Sequence, residues 1–163
     1  MDIHQQELQK AIEFVRQTFA DKKIDLDYSA GSVKHLDTLF ENEFKNGQLR
    51  KPDSSFAKFQ GLILTGVSGY LANVIVKNSG NTEIVTDAGD EKWFMNFKVV
   101  SPAGQSVQPG LRVIKRMMQG EEMSLYAYTL TSIRYFNPNA VIPVESSDTS
   151  QGNRKPWWKL FGK

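Results

Sequence analysis

The chain has no cysteine among its 163 residues, which excludes disulfides, thiolate metal ligands and a cysteine nucleophile. Only two histidines are present, His4 and His35, and neither has a carboxylate cluster at ligand spacing, so they read as surface residues. No metal and no cofactor are expected. An excess of one charge is also missing. Twenty basic residues against 18 acidic ones give a formal +2, which does not predict nucleic acid as a partner. Long apolar runs are absent too. The least polar stretch, residues 61–76, is interrupted by Gly, Ser, Thr and Asn and falls short of the roughly 20 residues a membrane span needs. The first 20 residues contain Asp2, Glu7, Lys10, Glu13 and Arg16 and no unbroken apolar segment, so no signal peptide is read and a cytoplasmic location is expected.

Phosphate-loop and hydrolase signatures are likewise missing. Gly61-Leu-Ile-Leu-Thr-Gly66 has the glycine spacing of a P-loop without the following Lys-Ser/Thr. Gly66-Val-Ser68-Gly69 would need glycine at position 70 to form a nucleophile elbow, and that position is Tyr70. The carboxylate pairs Asp25/Asp27 and Glu41/Glu43 have no histidine beside them and read as solvated faces.

What is present is enough apolar material for one core: hydrophobic residues make up 40% of the chain, with ten Phe and three Trp. Leu8, Ala11, Ile12, Val15 and Phe19 recur at helical spacing. Val33, Leu36, Leu39, Phe40 and Phe44 form a second stripe, opened by Ser29 or Ser32 and closed by Gly47. A central helix over 56–77 is apolar around most of its circumference. Its Gly61, Gly66 and Gly69 each cost up to ~1 kcal/mol of helix propensity, which close approach of a neighbour would offset. Residues 82–86 and 92–100 read as a hairpin, with a short third strand near 106–108. Helices over 109–119 and 122–135 follow, the first starting at Pro109 and carrying Leu111, Ile114 and Met118 inward. The expected fold is α+β, about five helices packed on a small antiparallel sheet of two or three strands. Residues 1–144 form the domain, and 145–163 form a flexible linker and tail.

Two features point to recognition. Arg112, Lys115 and Arg116, at i, i+3 and i+4, would make one exposed basic patch able to grip an anion or an acidic partner. The second is the ending Lys155-Pro-Trp-Trp-Lys-Leu-Phe-Gly-Lys163. Four of the chain's basic residues and none of its acids lie in the last ten positions, leaving the remainder slightly acidic. Trp157, Trp158 and Phe161, with Leu160, follow a polar segment whose composition predicts mobility. Three readings of the tail stand open. It covers an apolar groove on its own domain, docks into a protein partner, or makes peripheral contact with an anionic membrane surface.

Three local patterns carry a family resemblance: Leu26-Asp-Tyr-Ser29 ahead of Leu36-Asp37; Gly69-Tyr-Leu71; and Arg112-Val-x-Lys-Arg-x-x-x-Gly-x-x-x-Ser-Leu125. Across residues 10–135 the chain resembles a family of small uncharacterised bacterial α+β domains. The resemblance implies a bacterial origin and a compact fold, and no activity. It also implies an acid soon after the Gly-Tyr-Leu step, where this chain has Asn73. The functional expectation is an interaction module of adaptor or immunity type with a protein partner. The alternative is an enzyme whose site lies in a cleft beside the basic helix.

Overall fold

The computed structural model describes residues 3–87 and 89–143. Five long helices make up most of it: α1 (Ile3–Ala20), α2 (Val33–Glu43), α4 (Gln60–Ser79), α6 (Pro109–Gln119) and α7 (Leu125–Phe136). Two single-turn helices, α3 (Ser55–Lys58) and α5 (Trp93–Asn96), and a 3-10 turn at Glu121–Met123 complete the helical part. Strands β3 (Glu83–Val85), β4 (Lys98–Val100) and β5 (Ser106–Val107) form an antiparallel sheet in that order. A second sheet is a miniature hairpin of β1 (Phe44–Lys45) and β2 (Gln48–Leu49). The α+β class is as expected, with three more helical turns and one more sheet.

α4 runs through the centre. Val67, Tyr70, Leu71, Ala72, Val74 and Ile75 are all fully buried, which explains its lack of a polar face. Its glycines set how closely α1 lies. A Cβ on Gly66 would collide with the Ala11 carbonyl and with Val15, and one on Gly69 would sit 2.7 Å from Leu8 Cδ1. These pairs run in opposite chain directions, so α1 and α4 pack antiparallel with their backbones nearly touching. Gly61 faces open space and serves no such purpose.

The segment between α1 and α2 is strapped to α4 by side chains. The Tyr28 amide donates to the Tyr70 hydroxyl (2.9 Å), and Asn78 donates to the Tyr28 carbonyl (3.1 Å). Tyr28 has φ +62°, a conformation costly for a bulky residue. Stacking on Tyr70 at 4.9 Å, with the Arg16 guanidinium 5.0 Å from its ring centre, holds it there. Tyr70 also meets the Ser32 hydroxyl at 2.6 Å, and burial pushes its own hydroxyl up to about 12.

The helix carrying the second apolar stripe stops at Glu43, short of Phe44 and Gly47. Asn46 and Gly47 have φ +52° and +76°, the pair of positive values that a two-residue hairpin turn demands. Arg50 then closes the helix end, donating from Nε to the carbonyls of Glu41 and Phe44, each at 3.0 Å. The hairpin expected over 82–100 is present only at its ends, where Glu83 pairs with Val100 and Val85 with Lys98. Residues 93–96 are helical instead of extended. Asp90 enforces this by accepting from the Lys92 amide and from Asn96 Nδ2, both at 2.8 Å, while Trp93 stacks on His4 at 4.7 Å. His4 is therefore a packed residue, and His35 is exposed.

α6 is rotated from its expected phase. Pro109, Gly110, Val113 and Arg116 point inward, whereas Leu111 and Met118 are 37% and 60% exposed. Gly110 fixes this, because its backbone lies against Phe94 and Met95 with no space for a Cβ. α7 begins at Leu125, with Ser124 as its cap, accepting from the Ala127 amide. The helix expected over 122–135 thus starts later, and Glu121 and Glu122 lie in the 3-10 turn before it.

Candidate functional site

Arg112, Lys115 and Arg116 do not form an exposed patch. Arg116 is 3% exposed and committed inward. Its Nε donates to Asp37 Oδ1 at 2.9 Å, and its Nη2 donates to the Asp37 carbonyl at 3.2 Å and to Glu41 Oε1 at 3.3 Å. Arg112 turns toward α7, its Nη2 donating to the Ser124 carbonyl (3.4 Å) and its guanidinium 5.2 Å from the Tyr128 ring centre. Only Lys115 is on the exposed side. An arginine read from periodicity alone is assigned outward; here the Asp37 carboxylate on α2 turns it inward.

Asp37 is the centre of that arrangement. Besides Arg116, it accepts from the amides of Leu125 and Tyr126, each at 2.9 Å, and from the Ser124 hydroxyl at 3.0 Å. The free amides at the start of α7 thus find their acceptor on α2, where a negative charge also suits the helix end. The residues of the three sequence patterns meet in two such internal networks, Tyr28 and Ser29 near Tyr70, and Asp37 with Arg116, Ser124 and Leu125. Both networks hold helices together.

A polar cleft of about 370 Å³ lies beside the end of α6, bordered by Glu41, Lys45, Arg50, Arg116 and Glu121. Partial burial raises the Glu41 carboxyl above its ordinary value, Arg116 pulls it back down, and Glu121 adds to the rise. The cleft is where the enzyme reading would place a site, yet Arg50 and Arg116 are both bound to α2. Among the described residues no group of three His, Asp or Glu is placed to hold a metal ion. None of the helices there is long and apolar enough to cross a membrane.

An apolar concavity lies at another face of α2. It is an open groove of about 390 Å³ between the end of α1, α2, α3 and the first turn of α4. Phe19, Phe56 and Ile63 form its buried floor, and Phe14, Leu39 and Phe59 its walls. Sequence explains the shape. Ser54 caps α3 by accepting from the Ala57 amide at 3.2 Å. Phe59, at φ −116° and ψ 22°, breaks the chain between α3 and α4. The break swings the Phe59 ring to the rim, where it is 47% exposed and 5.4 Å from Phe14. Below it Phe40, Phe44 and Phe56 pack edge-to-face and stacked at 5.1–6.3 Å, a rigid aromatic base. Asp21, Lys22 and Glu43 edge the groove.

Sequence reading missed this groove because it treated 56–77 as one continuous helix. The Pro52-Asp-Ser-Ser55 segment was the available signal, since serine before an apolar pair marks a helix start. The tail residues Trp157, Trp158 and Phe161 lie outside the described residues. Compared with known proteins, the chain matches no family model, no curated protein and no solved structure.

Proposed function

We propose that this chain is an interaction module that receives an apolar, aromatic-bearing segment of a protein partner in the groove between α1, α2, α3 and α4. One observation carries the reading: a half-exposed Phe59 stands at the edge of a concavity with a buried aromatic floor. A concavity lined by apolar rings is a surface that an interface anchor can fill, and Phe59 continues that lining out to the rim. The groove's size lies within the range of pockets that admit side chains or small ligands. The basic helix face drops out as a recognition element, since Arg116 is bound internally, and Lys115 alone adds little.

The test is site-specific photo-cross-linking in native cells, with benzoylphenylalanine replacing Phe59 in the full chain. A discrete adduct to another protein is expected. The same group at Lys98, on β4, should give none. The pair is repeated in a chain carrying Trp157→Ser, Trp158→Ser and Phe161→Ser, which leaves the groove open. Absence of any Phe59-specific adduct in both chains overturns the reading.

A further inference from the structure

We infer that the resident occupant of this groove is the chain's own segment 155–163, bound in cis, so that a partner must displace the tail to engage. The inference rests on the groove reading above and adds its regulation. Three observations converge on it.

The first is chemical match. The groove offers phenyl rings on its floor and at the wall formed by Phe14 and Phe59, and the tail offers two indoles, a phenyl and a leucyl side chain within five residues. Offset and edge-to-face pairing of such rings gives orientation as well as burial. The second is charge. Asp21 and Glu43 stand at the groove edge with one lysine, Lys22, while the tail carries Arg154, Lys155, Lys159 and Lys163 and no acid. An aromatic core flanked by cations suits an aromatic groove edged by carboxylates.

The third is reach. α7 ends beside the last residues of α4, since Phe136 and Asn137 border the same depression as Ser79 and Gly80. The groove lies at the other end of α4, whose 20 residues measure roughly 30 Å. Thirteen residues, 144–156, separate the last described residue, Pro143, from Trp157. Fully extended they span roughly 45 Å, which exceeds the length of α4. A tether that spans the distance makes docking of the tail intramolecular, which favours the chain's own tail over a second copy in dilute solution.

The experiment uses the full chain carrying Trp93→Phe, which leaves Trp157 and Trp158 as the only indoles. Tail docking predicts blue-shifted emission with severalfold weaker acrylamide quenching than a free indole, unchanged on dilution. Adding Phe59→Glu to the groove wall should shift the emission to the red and restore quenching. Thr18→Arg, which places a cation in the groove on a helix that tolerates it, should do the same if Phe59→Glu fails to fold. Red, freely quenched emission in the Trp93→Phe chain overturns the inference. So does protection that vanishes on dilution, which would belong to a second copy, or protection that survives both groove variants. The groove reading stands or falls separately, on the Phe59 adduct in the chain with serine at the three tail positions.

Discussion

The Asp37 carboxylate accepts from four donors, one on α6 and three at the start of α7, and each of those donors depends on it differently. Removing the carboxylate leaves a buried guanidinium with only Glu41 and the Asp37 carbonyl, and two helix-start amides with no side-chain acceptor. Asp37→Ala should therefore cost about 3–5 kcal/mol, the usual toll for breaking one side of a buried pair. Arg116→Met leaves Asp37 with Ser124 and both amides, and its cost should be on the order of 1–2 kcal/mol. Urea denaturation of the two variants checks the order; equal costs would contradict this account. Buried tyrosines make a second prediction. Burial pushes Tyr70 and Tyr128 each up to about 12, against an ordinary value near 10. Below pH 10 both are neutral whether the chain is folded or not, so they impose no pH dependence. Between 10 and 12 the unfolded chain ionises while the folded one resists, and stability falls as pH rises through that window. Tyr128→Phe should lessen the fall measured by denaturant titration across pH 9–12.

Helices here are positioned by close approach as much as by apolar stripes. Gly66→Ala gains up to ~1 kcal/mol of helix propensity but drives a methyl into the Ala11 carbonyl and Val15, and should lower the melting temperature. Gly61→Ala meets nothing within 4 Å and should raise it. The same substitution thus has opposite signs one turn and a half apart, which a thermal melt of each variant tests. This pairing was half legible in the sequence: three glycines in an apolar helix announce a close neighbour, but only packing shows which glycines it touches. The stripes of α1 and α2 were legible because apolar residues at 3.6-residue spacing face one core. The phase of α6 was not, because its inward side is set by Gly110 against α5 and by Arg116 reaching Asp37, contacts that no local pattern records. The α5 turn escaped for a similar reason. Trp93, Phe94 and Met95 have sheet-like composition, and the Asp90 side chain winds them into a helix. The groove was hidden by the break at Phe59, a change of backbone within a segment whose apolar residues keep helical spacing.

At the scale of the whole molecule, charge changes on α6 separate surface from core. Lys115→Glu should alter stability by less than ~0.5 kcal/mol, as exposed substitutions usually do. Reversing Arg112, Lys115 and Arg116 together should unfold the protein, because a carboxylate at 116 would face Asp37 and Glu41 in a buried setting. Circular dichroism of the two variants distinguishes them at once. The Asp37 cluster joins residues some 80 positions apart in the chain, tying α2 to both α6 and α7. It consequently ends the independence of those helices. The leading amides of a helix ordinarily lack an acceptor and trade their protons with water within moments. Leu125 and Tyr126 have theirs on α2, so their protons can leave only when α2 and α7 part. Dissolved in deuterated water, the native protein should keep these two protons as long as the buried amides of α4, reporting global opening from the first turn of a helix.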